Sequence, residues 1–266
     1  MVIKELFEIE ESSKRLAFVK ANKAELISSK KSMIKRCDSI VATPKPFKST
    51  EANKAETSEN GVYRIVGNSI GFMDSHMDVS ITGSFDKSVN ERGNRIPMLI
   101  NHDYNPKSIY AANRGVMVER INIRELGYDK DGMTEAVMAK IEPKYDAKMR
   151  ELYADGQIKE HSVGIRYVKL ELAINDPEEE REYANWLKYY PDVINREVAD
   201  EAGFFFAVKE QRLEEISAVV FGSNPYTPTL YEPKNTTQEP HKSTQEKPIE
   251  SETGKVLNLL DIYNSL

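Results

Sequence analysis

Apolar positions along the chain fall mostly into short runs of period two separated by turn residues, the spacing of half-buried strands. This pattern predicts strands at residues 62–66, 79–81, 98–100, 115–121, 134–141, 162–172, 204–208 and 214–221. Two segments carry helical spacing instead. The first follows Pro143 and stops at Gly156; Tyr145, Met149, Leu152 and Tyr153 share one face, with proline in the first turn and glycine just past the end. The second starts at Asp176-Pro177 and runs to Pro191. Its acids crowd the N-terminal turn, where the helix dipole favours them, and Tyr183, Trp186 and Tyr190 make an apolar face. Many strands and few helices predict a mainly β fold with helices (α+β): a bent antiparallel β-barrel core decorated by helices. Residues 176–202 read as an insertion between two core strands.

The flanks lack this pattern. Residues 1–60 read as a basic N-terminal arm and linker: broken helices over residues 4–34, then a Pro-, Ser- and Thr-rich stretch without periodicity. Residues 61–230 form the expected domain. Residues 231–266 are a Pro-, Gln- and Lys-rich tail expected to be disordered, ending in a short amphipathic segment with Val256, Leu259, Leu260 and Tyr263 on one helical face.

Charge sharpens the division. The net charge is −6, but residues 1–50 hold 11 Lys+Arg against 6 Asp+Glu, leaving −11 for the remainder. The arm suits an acidic partner or a solvated helical surface. It lacks the interleaved aromatics of a nucleic-acid site, so nucleic acid is not an expected partner. Hydrophobic residues are 39% of the 266, and no apolar run approaches the roughly 20 residues needed to cross a bilayer, so no membrane partner is expected. The N-terminus lacks the apolar core of a signal peptide. Cys37 is the single cysteine, which excludes an internal disulfide and a cysteine-based metal site and suits a reducing compartment.

Three segments supply the parts of acyl-transfer chemistry, which needs a nucleophile, a base and a group that orients the base. The predicted strand 98–100 runs into His102, a half-exposed base or a surface-turn histidine. The helix stopping at Gly156 leads to Ser162-Val163-Gly164, a nucleophile with open space beside it for a substrate backbone, or a plain strand. Alternation puts Ser162, Gly164 and Arg166 on one face and His161 on the other. In Glu215-Ile216-Ser217-Ala218-Val219 the glutamate shares a face with Ser217, pointing inward toward a charged histidine or toward an arginine. A metal site built from His76, Asp78, His102 and Asp103 lacks helical ligand spacing.

Taken in order, Asp74 to Val79 with Gly83-Ser84-Phe85, the apolar strand ending in His102, the strands around Gly115 and Asp131-Gly132-Met133, the helix stop at Gly156 before Ser162-Val163-Gly164, and Glu215 to Val219 before Asn224-Pro225 resemble the prohead (capsid maturation) serine proteases of tailed bacterial viruses. That family is related in fold to the herpesvirus assemblins. The resemblance covers residues 61–230 and implies a herpesvirus-protease-like fold and a serine endopeptidase. It implies Ser162 as nucleophile, His102 as base and Glu215 as third member, with His76 or another acid as alternatives for that third place. It further implies cleavage of scaffold and major capsid proteins, self-association and self-cleavage inside the assembling prohead, a host bacterial cytoplasmic location, and no cofactor or metal. Trimming is expected in residues 40–60 or 231–255. The other reading is a catalytically inert scaffold or assembly protein that keeps the protease fold.

Overall fold

Residues 204–208 and 214–219, predicted from the sequence pattern as two strands, are parts of one long strand that organises the molecule and ends two residues short of the predicted 221. The computed structural model describes residues 2–35 and 61–230; the expected linker at 36–60 and tail at 231–266 lie outside them. The long strand is β8 (Phe204–Val219), antiparallel to β7 (Glu160–Ile174). Its first half, Phe204 to Val208, is apolar on both faces and fully buried, as in strands covered on both sides. Three register shifts interrupt the β7–β8 ladder, after Gly164, Tyr167 and Lys169. Such bulges bend a pair that would otherwise run about 50 Å flat.

The remaining strands are β1 (Ile34–Lys35), β2 (Tyr63–Ser69), β3 (Asp78–Ser80), β4 (Met98–Ile100), β5 (Ile109–Asn122), β6 (Met133–Glu142) and β9 (Thr229–Leu230). They form one nine-stranded sheet in the order β1-β7-β8-β4-β5-β6-β2-β9, with β3 also on β8. The expected all-antiparallel arrangement is corrected here: β3 and β4 run parallel to β8, so the sheet is mixed. The reason is connectivity, because α4 (Asp86–Arg92) lies between β3 and β4 and returns the chain in the same direction along β8. Among the described residues the end strands β1 and β9 do not pair with each other, so a closed barrel is not shown. The 227–229 segment nevertheless reaches β2 on one side (Val66 N to Pro228 O, 3.0 Å) and, through an antiparallel bridge of two backbone hydrogen bonds, the start of β7 on the other (His161 N to Thr227 O and Thr229 N to Lys159 O, each 3.1 Å).

The helices cover this sheet. In α5 (Ala147–Ala154) Asp146 caps the N-terminus by accepting from Met149 N at 2.8 Å, so Pro143 lies outside the helix. Gly156 follows with φ of 67°, where a left-handed turn ends the helix. Asp176 accepts from Glu178 N in a local turn, so α6 (Glu180–Tyr189) begins later than Pro177 suggests. With α7 (Arg196–Ala202) it connects β7 to β8, burying Trp186 and Tyr189.

Residues 2–35 are not set apart from the domain. α1 (Val2–Glu8), α2 (Ser12–Ala21) and α3 (Lys23–Ser32) contribute Val2, Ile3, Leu6, Val19 and Leu26 to the main apolar cluster. Lys30 is 3% exposed; its Nζ meets Asp78 Oδ1 at 2.5 Å and lies 4.3 Å from the centre of the Phe206 ring. A charge so deeply buried needs such a partner, and Asp78 supplies it from β3.

Candidate active site

Strand β4 aligns Leu99 with Ser217 and Ile100 with Ala218 of β8, so the residues following it emerge beside Ser217. The turn there is tight: Asn101 and His102 have φ of 49° and 55°. Two successive non-glycine residues in the left-handed region are strained, each by on the order of 1 kcal/mol, and such strain concentrates where a side chain must be aimed. The turn is held by the His102 backbone N–H, which donates to Ser217 Oγ at 3.0 Å.

The imidazole thereby faces Glu215. His102 Nδ1 lies 2.5 Å from Glu215 Oε1, and Ser217 Oγ donates to Glu215 Oε2 at 2.6 Å. Glu215 is fully buried and His102 is 6% exposed. An ionised carboxylate only accepts, so Nδ1 is the donor in this contact, and in that tautomer Nε2 carries the lone pair. Nε2 is buried and has no hydrogen-bond partner among the described residues.

Ser162 stands directly across from Ser217 in the β7–β8 ladder, and Gly164 stands across from Glu215. Cross-strand partners on one face have Cβ atoms about 5 Å apart. The Ser162 hydroxyl therefore shares a face, and adjoining rows, with the His102–Glu215 pair. It makes no hydrogen bond to His102 or to any other described residue. Ser162 is 4% exposed.

The space beside Gly164 is not open to a substrate backbone, which corrects the sequence expectation. A Cβ on Gly164 would fall deep inside contact with Glu215 Oε1 and 2.9 Å from the Tyr104 hydroxyl oxygen. The glycine makes room for the carboxylate. Tyr104 and Ser217 are the site residues that sequence reasoning did not assign. Ser217 was detectable from its alternation with Glu215; Tyr104 carries no such signal, because a loop places it.

The other candidates lie elsewhere. His161 is on the opposite face, with Nε2 2.7 Å from the Tyr153 hydroxyl, which is 2.7 Å from that of Tyr110. Burial pulls the His161 pKa down to about 4, against a smaller opposing effect of the Thr227 carbonyl. Burial also pushes the Tyr110 hydroxyl far up, against the opposing effect of the Tyr153 hydrogen bond and with a smaller push from Glu215. His76 packs edge-on against Phe7 at 5.7 Å and presents its carbonyl to Lys30 Nζ at 3.0 Å. Asp78, two residues on, pairs with Phe206, eleven residues along β8 from Ser217, so the structure does not bring His76 to this site. Asp103 accepts from Ser108 Oγ at 2.5 Å and from Asn105 N, which with the burial cost overcome holds its carboxyl below the usual range. Arg166 is exposed and bound to Glu214. Among the described residues no group of three or more His, Cys, Asp or Glu is arranged to hold a metal ion, and no helix is long and apolar enough to cross a membrane.

The arrangement pairs a buried carboxylate with an imidazole whose second nitrogen is free to accept a proton, on a face that also carries a hydroxyl. No protein-family profile, curated protein or solved structure matches this chain.

Proposed function

We propose that the protein is a serine endopeptidase of the prohead-maturation type, acting on scaffold and major capsid proteins and on itself inside an assembling bacterial-virus shell in the host cytoplasm. One observation carries the proposal: the 2.5 Å contact of His102 Nδ1 with Glu215 lies on the strand face that bears Ser162, with Nε2 unpartnered. The hydrogen bonds that draw residues 227–229 to both β2 and β7 support a strongly bent, barrel-like sheet of the herpesvirus-protease kind.

In this reading Ser162 Oγ attacks the scissile carbonyl and passes its proton to His102 Nε2. Glu215 fixes the tautomer and stabilises the imidazolium. The imidazolium then protonates the leaving amine, and water releases the acyl group by the same exchange. Catalytic hydrogen bonds are commonly loose without substrate, so the missing Ser162–His102 bond is consistent with it.

A second reading, an assembly module without catalysis, is favoured by the shielding of His102 Nε2 from solvent. Reaction of the full-length protein with a fluorophosphonate, located by peptide mass mapping, separates the two. The peptidase reading expects label on Ser162, with the rate reduced about a thousandfold or more in His102→Ala. No label on Ser162, or equal labelling of the variant, leaves the assembly module.

A further inference from the structure

The face carrying Ser162 and Gly164 continues along β7 and β8 into a row of arginines. Alternation keeps Arg166 on that face, and its partner across the ladder is Arg212. Arg92, from the last turn of α4, reaches the same point. All three converge on Glu214: Arg166 Nε at 2.9 Å and Arg212 Nε at 3.2 Å from Oε1, and Arg92 Nη1 at 3.1 Å from Oε2. Farther along, Lys87 and Lys169 both pair with Glu210. Five cations thus face two carboxylates in a chain whose net charge is −6.

The arginines are not used up by this cluster. The side chains of Arg166 and Arg212 are 52% and 55% exposed. Each meets Glu214 through Nε, and their Nη groups have no hydrogen-bond partner among the described residues. Glu214 therefore steadies two guanidinium forks while their paired outer donors stay available. Such a fork matches a carboxylate in plane and spacing.

Position relates the forks to the reacting centre. Arg166 is four residues from Ser162 on one strand, about 13 Å at the usual rise. Glu215 and the Tyr104 hydroxyl fill the row at Gly164 between them, so a peptide reaching both points crosses over Tyr104 rather than against the strand, and an extended backbone covers the distance in about four residues. We propose that Arg166 and Arg212 form a subsite for an acidic side chain of the substrate, about four residues from the scissile bond. The inference rests on the peptidase reading above and assigns that site its substrate class, an acidic peptide.

The test uses full-length protein on a library of proteome-derived peptides, followed by matched peptides differing only by Glu or Gln at the selected position. The expected profile is enriched in Asp and Glu three to five residues from the cleaved bond. The ratio of kcat/KM for the Glu over the Gln peptide should be about tenfold or more. It should fall toward one in Arg166→Gln/Arg212→Gln and partway in each single variant, which are measured alongside in case the double variant is unstable. Because the readout is a ratio, a general loss of activity does not mimic the effect. Equal cleavage of the two peptides by a protein that labels at Ser162 overturns the subsite alone. Absence of label on Ser162 overturns the subsite together with the peptidase reading.

Discussion

At Gly164 the missing side chain is replaced by a carboxylate from the neighbouring strand. An alanine there must push Glu215 away, because its Cβ would overlap Oε1 and crowd the Tyr104 hydroxyl. Gly164→Ala is expected to cost about 1–3 kcal/mol by overpacking and, on the proposed peptidase reading, to slow Ser162 labelling by about a hundredfold or more, since an imidazole without its carboxylate loses its tautomer and orientation. Labelling rates and urea midpoints check both; a wild-type labelling rate would show that Glu215 does not hold the base. His161, on the opposite face of β7 from Ser162, makes a pH prediction. Its folded pKa of about 4 is below the unfolded value near 6.5, so the unfolded chain binds the extra proton between these values. Its contribution is complete above pH 6.5 and is lost as pH falls toward 4, to the order of 3 kcal/mol. Urea unfolding at pH 7.5 and pH 5 should show about 2 kcal/mol of this loss in wild type and a smaller one in His161→Gln. Ser162, His102 and Glu215 could be singled out in the sequence because each stands at a strand end or a polar position inside an apolar run. The use of Gly164 could not, because its reason lies across the ladder.

Strand β8 shows why element boundaries were harder to read than element types. Residues 209–213 include Lys209, Glu210, Gln211 and Arg212, which break the apolar pattern and suggest a loop. The strand persists because those positions are satisfied by neighbours: Gln211 Nε2 donates to Ser80 and Ser84, and Glu210 pairs with Lys169. The N-terminal helices posed the same problem in reverse, since Lys30 reads as solvated and is buried. Asp78 meets Lys30 Nζ with one oxygen and the Tyr167 hydroxyl with the other, joining α3, β3 and β7. Burial pushes the Tyr167 hydroxyl well up, and the charge of Asp78 pushes it further. Lys30→Met should therefore destabilise by about 3 kcal/mol or more, because it strands a buried carboxylate. Adding Asp78→Asn should recover much of that, giving a coupling of about 2 kcal/mol in a double-mutant cycle measured by urea unfolding. Additive effects would mean that the pair contributes nothing beyond its separate contacts.

For the whole molecule, the mixture of strands and helices followed from periodicity, while the mixed sheet did not, because pairing direction is set by which strands the α4 connection and the β7–β8 pair bring together. Nor did the sequence reveal that residues 2–35 belong to the main body. Their apolar positions are sparse among lysines and serines, and their fit depends on a surface built by distant segments: the cluster that takes up Leu6, Val19 and Leu26, and the acids Asp176, Glu179 and Glu182 that meet Lys20 and Lys23. This attachment bears on self-processing. A cut in residues 40–60, one of the two regions where trimming is expected, would separate two pieces of chain without removing any of these contacts. The N-terminal piece should then remain bound as a noncovalent subunit. A specific protease site inserted after residue 48 tests this: after complete cutting, both fragments should elute together on size exclusion and separate only in denaturant. The same experiment on Lys30→Met should release the N-terminal piece more readily, because the buried ion pair is the one strongly directional link between α3 and β3 among the contacts described. Separation of the wild-type fragments under native conditions would mean that the covalent linker, not the packed helices, keeps residues 2–35 in place.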